Sequence, residues 1–384
     1  MTTNDPGRGE AETAAAQTIK PAGPGESMSG REAAALERIE AFRRRRPRFR
    51  DDFVTLAHGA GGKASAALID AVFLDAFAGL ERPPLTDAAL IPTAGETLAF
   101  TTDSFVVKPL RFPGGSIGHL AVHGTVNDLA VMGAVPKWLS AAFVIEEGFA
   151  VNELRQVVSD MAEAAATSGV TIVTGDTKVV GRGAADGLYV TTAGIGIVPA
   201  GRRLGAELVQ RGDRILISGT IADHGMAVML ARGDLALEAD LRSDSAPVTA
   251  LVEALFAAAP STRWLRDPTR GGVGTVCNEL AHDCGLAVVL DEASLPIRPE
   301  VAGACDLLGI DPLYVANEGK FLAVVAAKEA DAALEALRSH PLGSEAVLIG
   351  DIRDQPEGIV VLRTSFGGTR IVDMLVGDPL PRIC

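Results

Sequence analysis

Five aspartates in this 384-residue sequence stand beside threonine, glycine or asparagine, at strand ends, turns or helix positions. They are Asp87 in Thr86-Asp87-Ala88-Ala89, Asp103 in Thr101-Thr102-Asp103-Ser104, Asp128 in Asn127-Asp128-Leu129-Ala130, Asp176 in Gly175-Asp176-Thr177-Lys178, and Asp267 in Arg266-Asp267-Pro268-Thr269-Arg270-Gly271-Gly272. Any one of them alone reads as a helix cap or an Asx-turn. As a set they offer the oxygen ligands that Mg2+ takes, one or two carboxylates together with the phosphate oxygens of a substrate. Asp128 suits a cap least, because it falls inside an apolar helical run.

Ala57-His58-Gly59-Ala60-Gly61-Gly62-Lys63 places three glycines and a lysine before a helical pattern, which is how backbone N–H groups are aimed at a phosphate. It is not a P-loop, which needs Gly at 57 and Ser or Thr at 64, where this chain has alanine. A plain turn with a helix cap accounts for the same residues. Only seven of the 35 basic residues are lysine, yet Lys63, Lys178 and Lys320 all adjoin Gly or Gly-Asp turns. His119 and His123 are four apart on one helical stretch, but Leu120-Ala121-Val122 between them lacks the glutamate of a zinc-protease helix, which favours a structural role. Cys277, Cys284, Cys305 and Cys384 form no C-x-x-C pair, against a zinc knuckle or a thioredoxin-type site. Cys277 and Cys284 lie about 10 Å apart along a helix, too far to bridge. Four thiols remain, one of them the last residue, on a segment whose Gly377, Pro379 and Pro381 favour an extended chain of about 20 Å reach.

The elements that must position these groups are legible in outline. Residues 1–50 are rich in Ala, Gly, Pro, Thr and Glu, end in an arginine run, and read as a disordered extension of charge +3 on a body of −17. A short strand is expected over 53–57, a helix over 63–77, strands over 97–107, 138–145, 170–173 and 188–198, and helices over 116–132 and 152–167. After a polar stretch at 203–212 the alternation resumes, with strands at 213–218, 286–290 and 321–327 and helices at 248–258 and 272–284. The expected organisation is an N-terminal α/β domain over 51–202, a second over 203–370 and a flexible tail over 371–384, with mixed rather than all-parallel sheets because several strands are joined by short links. With 47% apolar residues, 22% charged and a net charge of −14, the chain is an ordinary folded protein, and long-range repulsion argues against nucleic acid or an anionic membrane as its partner. The absence of a long apolar run and of a signal-peptide core points to a cytoplasmic protein.

Residues 55–202 and 264–275, with the ending Pro381-Arg382-Ile383-Cys384, resemble the HypE family of hydrogenase maturation proteins, within the superfamily of aminoimidazole ribonucleotide synthetase and selenophosphate synthetase. The aspartate motifs point to the superfamily; Gly175-Asp176-Thr177-Lys178-Val179-Val180 and the Pro-Arg-Ile-Cys ending point to the family. The resemblance implies a two-domain aminoimidazole ribonucleotide synthetase-like fold and an enzyme that uses ATP to dehydrate a carbamoyl group on the C-terminal cysteine to a thiocyanate. That group becomes the cyanide ligand of nickel–iron hydrogenase. It implies Cys384 as the carrier, Asp87, Asp103, Asp128 and Asp267 as metal and nucleotide ligands with Asp176 able to join them, and Gly59, Gly61, Gly62 and, more weakly, Lys63 over the phosphates. Lys178 would neutralise the transferred phosphoryl group and Glu318, in Asn317-Glu318-Gly319-Lys320, would serve as a base. A homodimer joined through first-domain sheets is implied, as are contacts with the carbamoyltransferase HypF and the HypC–HypD scaffold. Two alternatives stay open: a kinase or synthetase of the same fold acting on a free small molecule, which would leave Cys384 dispensable, and a non-enzymatic docking protein, which would bind no ATP. Deleting residues 1–50, whose composition supports no packed core, is expected to leave the melting temperature within about 2 °C of the full chain by calorimetry.

Overall fold

The structure, a computed structural model, describes residues 51–77, 85–233, 240–375, 377 and 382–384. The extension expected over residues 1–50 lies outside the described residues. The first of two large sheets is built from β1 (Ala89–Pro92), β2 (Thr97–Phe105), β3 (Val135–Glu146), β4 (Thr171–Val180) and β5 (Leu188–Val198), in the spatial order β1-β2-β5-β3-β4. In it β3 and β4 run parallel and the other pairs antiparallel. The second sheet contains β6 (Arg214–Ile217), β7 (Trp264–Arg266), β8 (Ala287–Asp291), β9 (Leu322–Val325), β10 (Val347–Arg353), β11 (Val360–Arg363) and β12 (Thr369–Val372). Their order is β12-β11-β8-β10-β6-β9-β7, again with one parallel pair, β8 with β11. These are the mixed sheets that short strand connections require.

The helix Ile117–Val131 is the hub. Ser116 caps it, its Oγ accepting the Gly118 N–H at 3.2 Å, and every residue of the helix except His119 and Asp128 is buried. A helix that is apolar all round must be covered all round. Here β2 and β5 cover one side and the helix Val151–Ser168 another, and Gly118 makes the second contact possible, since a Cβ there would stand 2.4 Å from the Val157 carbonyl oxygen. The same core takes in Met226, Ala227 and Val228 from the helix Asp223–Ala231, Val301 and Ala304 from the helix Pro299–Leu308, and Ile383 from the chain end. Residues far apart in sequence therefore share one apolar interior.

Three expectations are corrected. Residues 53–57 form no strand: Phe53, Val54 and Leu56 are highly exposed, and the chain turns into a 3-10 helix at Leu56–Gly59, where the Thr55 N–H donates to His58 Nδ1 at 2.9 Å. The strand expected over 170–173 continues to Val180 because β4 stays in parallel register with β3, so the Gly175–Lys178 motif lies inside a strand rather than in a turn. The strand β12 also runs two residues into the segment assigned to the tail.

Asn127, fully buried in the 117–131 helix, ties that helix to the second half of the chain. Its amide donates to the carbonyls of Ala246 at 3.0 Å and Glu318 at 2.8 Å, and its Oδ1 accepts the Val248 N–H at 2.9 Å. Asn127→Ala leaves three buried backbone groups without partners and is expected to lower unfolding free energy by about 2–4 kcal/mol, measured by urea denaturation.

Candidate active site

Strand β2 alternates its side chains across the sheet. Ala99, Thr101, Asp103 and Phe105 face the 117–131 helix, while Phe100 and Thr102 face the other way. Gly124 sits over Phe105, where a Cβ would come within 2.9 Å of the ring, so the helix leaves room beside Asp103. One turn later Asp128 points at Thr101. The Thr101 hydroxyl stands 2.7 Å from the Asp87 carbonyl oxygen and 2.9 Å from Asp128 Oδ2, one proton between two acceptors.

The third carboxylate comes from the second sheet. Asp267 follows β7 directly, and Gly271 and Gly272 at φ +74° and +59° turn the chain into the helix Gly272–Cys284. Side chains are excluded there, because a Cβ on Gly272 would lie 2.6 Å from the carbonyl oxygens of Leu313 and Val315. Arg266, the last residue of β7, reaches Asp87 Oδ1 with its Nε at 3.1 Å and Glu279 Oε2 with Nη2 at 2.8 Å, which fixes Asp87 against the second half.

Carboxylate oxygens of Asp87, Asp128 and Asp267 lie within 4.8 Å of one another. Burial and the neighbouring negative charges hold Asp87 and Asp128 well above the usual carboxylate range, and burial pushes Asp267 up to about 7. Asp87 Oδ2 and Asp267 Oδ2 are buried with no hydrogen-bond partner. Crowded, part-neutralised carboxylates with orphaned oxygens fit a hard divalent cation, which would satisfy those oxygens and restore their charge.

These groups line a cavity of about 210 Å³ together with Asp103, Arg270, Glu318 and Cys384. Glu318 is carried by a rigid turn before β9. Asn317 Oδ1 accepts the Ala222 N–H at 2.7 Å and its amide donates to the Pro268 carbonyl at 2.9 Å, while Asp244 accepts the Glu318 N–H at 3.2 Å. Lys320 Nζ, buried, stands 2.5 Å from Asp244 Oδ2 and balances its charge. Glu318 Oε1 has no hydrogen bond, and burial, reinforced by Asp267, raises its proton affinity well above the ordinary range. Arg270 lies within electrostatic reach of Cys384, Asp103, Asp128 and Glu318. Burial pushes the Cys277 thiol up to about 12 and Cys305 up to about 11, and neither these two nor Cys284 lines the cavity.

The structure thus brings Asp87, Asp103, Asp128, Asp267, Glu318 and Cys384 together, and it does not bring Asp176, Lys178 or Lys63 to them. A bulge at Val173 sets Asp176 and Lys178 in register with Ala142 and Val144, whereas Ala141 and Ile145 turn into the core. Both side chains therefore lie on the open face of the sheet, opposite the 117–131 helix, where they pair with each other at 2.7 Å. Lys63 is paired with Asp373 at 2.8 Å. The glycine loop is next to the cavity rather than in its wall: Gly61, at φ +79°, packs on Arg270, with a Cβ there 2.8 Å from the Arg270 Cβ. His119 and His123 each meet a serine hydroxyl, Ser116 and Ser245, and burial pushes His123 down to about 3. Sequence reasoning gave no role to Arg270 or Arg266, although both flank Asp267 in the quoted motif; a cation beside a suspected carboxylate site was the available signal.

Residues 85–198 match the family described as AIR synthase related protein, N-terminal domain, and residues 210–363 its C-terminal domain. A carbamoyl dehydratase HypE of Rhodobacter capsulatus is 54% identical over 338 residues, 87% of this chain and 99% of that protein. The solved HypE–HypF complex matches at 47% identity and TM-score 0.76, over 80% of this chain and all of the matched one. A HypE structure in complex with ATP matches at 43% identity and TM-score 0.73, over 86% of this chain and all of that one. Folding raises the proton affinity of Asp128, which costs stability at neutral pH, so Asp128→Asn is expected to raise the melting temperature of the nucleotide-free protein by a few degrees while weakening Mg-ATP binding at least tenfold. Calorimetry and nucleotide titration on the same sample check both signs.

Proposed function

The chain belongs to the HypE family of AIR synthase-related proteins, and on that premise we propose that it uses ATP to dehydrate a carbamoyl group on the Cys384 thiol to a thiocyanate, the source of a cyanide ligand for nickel–iron hydrogenase. The observation that carries the reading is the position of Cys384, which lines one cavity with the carboxylate trio, Arg270 and Glu318.

The chemistry needs two bond changes. A thiocarbamate oxygen is a poor leaving group, and transfer of a phosphoryl group to it, with loss of one N–H proton, turns it into a good one. Cleavage of the C–O bond then releases phosphate, the remaining N–H proton departs, and S–C≡N is left. Mg2+ held by Asp87, Asp128 and Asp267, with Asp103 beside them, would neutralise phosphate charge. Arg270 takes the role of stabilising the transferred phosphoryl group that the sequence had suggested for Lys178, because it lines the cavity and Lys178 faces away from it. Glu318 is the proton acceptor: its oxygen has no competing hydrogen bond, and its high proton affinity makes its ionised form an effective base. The Gly59–Gly62 loop, seated on Arg270 through Gly61, would cover the phosphates from outside the cavity wall.

A HypF-type carbamoyltransferase loads Cys384, in keeping with the HypE–HypF complex among the solved relatives, and a HypC–HypD scaffold receives the cyano group. A second copy of the chain covers the open face of the first sheet, where Phe100 and Trp138 are 41% and 44% exposed on the face that also carries Asp176 and Lys178. No helix among the described residues is long and apolar enough to cross a membrane.

Carbamoylated protein given Mg-ATP is expected to lose the mass of one water from its C-terminal peptide, by intact-peptide mass spectrometry. Cys384→Ala is expected to bind ATP and transfer no cyano group. Cyano transfer that persists in Cys384→Ala would replace the carrier with a free small-molecule substrate.

A further inference from the structure

The depth of Cys384 in the cavity is fixed by what holds residues 382 and 383 just before it. In this structure those residues run antiparallel to the segment that follows β2. The Val106 N–H donates to a main-chain oxygen of Cys384 at 3.1 Å, the Lys108 N–H to the Arg382 carbonyl at 3.3 Å, and Arg382 Nε back to the Val106 carbonyl at 3.1 Å. Three side chains complete the seat, Asp186 from a loop and His224 and Arg232 from the two ends of the helix Asp223–Ala231. Asp186 pairs with the Arg382 guanidinium and is itself held by Lys108 Nζ at 2.9 Å. Arg232 Nη2 donates to the Arg382 carbonyl at 2.6 Å and its Nε to the Lys108 carbonyl at 2.9 Å. His224, fully buried, is 3.0 Å from the Ile383 carbonyl through Nε2 and 2.8 Å from Ser243 Oγ through Nδ1, so Nε2 carries the proton and the serine hydroxyl donates. The loop bearing Asp186 is braced from below, since Glu146 accepts the N–H groups of Gly183 and Gly187 at 2.6 and 3.0 Å.

We propose that Asp186, Arg232 and His224 form a latch for the chain end, positioning residues that set the Cys384 thiol beside Arg270 and Glu318 and must release it when the tail travels. None of the three lines the cavity, so they act through the tail. The latch is graded. Its outer end is a part-exposed ion pair, Asp186 and Arg382 being 41% and 31% exposed, which water and salt weaken. Its inner end is a buried imidazole edge-on to Phe112 with ring centroids 5.5 Å apart, and Ile383 packed at 4% exposure. Opening therefore starts at Asp186. His224 Nε2 also stands 3.8 Å from Glu318 Oε1, so the group that seats the carbonyl of Ile383 borders the proposed base.

This inference rests on Cys384 as the carrier, so it is read first by a measurement that needs no carbamoyl chemistry. Alkylation of the four thiols of the full chain by iodoacetamide is followed by peptide mass. Asp186→Asn and Arg232→Gln are expected to speed modification of Cys384 at least threefold and to leave Cys277, Cys305 and the dissociation constant for Mg-ATP unchanged. Asp186→Glu should restore the slow rate, and 0.5 M salt should speed the wild type but not Asp186→Asn. In turnover the variants should accept the carbamoyl group at least as fast as wild type and dehydrate it more slowly, opposite signs that general loss of structure would not give. His224→Gln extends the test to the inner end if it folds; the two surface variants decide the matter if it does not. An unchanged Cys384 alkylation rate in both surface variants overturns the latch, whatever the outcome for the dehydration reading.

Discussion

Three carboxylates that repel one another are held in contact, and much of the architecture is the means of holding them. Asp128 comes from a helix buried on all sides, Asp87 from the segment before β1, and Asp267 from the end of a strand in the other sheet. Left to themselves, such groups would move apart or keep their protons. They cannot move apart, because the 117–131 helix is locked into the shared core, Asn127 binds that helix to the second half, and Arg266 clamps Asp87 to Glu279. The cost of the arrangement is raised proton affinity at Asp87, Asp128 and Asp267, and that same unmet demand for positive charge is what makes the cavity suited to a cation and a polyphosphate.

Around this cluster the cavity separates acid–base work from charge work. Arg270 offers a fixed positive charge to anything that gathers negative charge between the aspartates and the thiol. Glu318 faces the same space from a turn held by Asn317 and Asp244, with no hydrogen bond to compete for its outer oxygen. The two groups are placed by different elements, so each can be tuned by its own support: Gly271 and Gly272 for the arginine turn, the buried Lys320–Asp244 pair for the glutamate turn.

What could be read from the sequence and what could not divide along one line. Asp128 was legible because a carboxylate in an apolar helix conflicts with burial unless it has a purpose, and that conflict is visible in one dimension. Asp87, Asp103 and Asp267 were legible as turn or strand-end residues, and the terminal cysteine by family resemblance. The sheets and main helices followed from periodicity. That Lys178 lies off the cavity was not legible, because its side depends on a single-residue bulge at Val173, and one residue of slip exchanges the two faces of a strand. Residues 53–57 have the apolar content of a strand, but among the described residues no strand pairs with them and Phe53, Val54 and Leu56 stay exposed. Arg270, Asp186 and His224 matter through partners that are remote in the chain, and no spacing rule reports those.

Ile383 has a consequence of its own. The penultimate residue of the chain is packed among Met226, Val301 and the 117–131 helix as an ordinary member of the interior. It is a stopper as well as a link: when the chain end leaves, a hole opens in the middle of the protein, and an isoleucine side chain faces water at a cost of about 1.5–3 kcal/mol. Any protein that draws the terminus out must therefore offer a greasy socket for the isoleucine in addition to a place for the sulfur. The fit between carrier and recipient is then decided one residue before the atom that reacts.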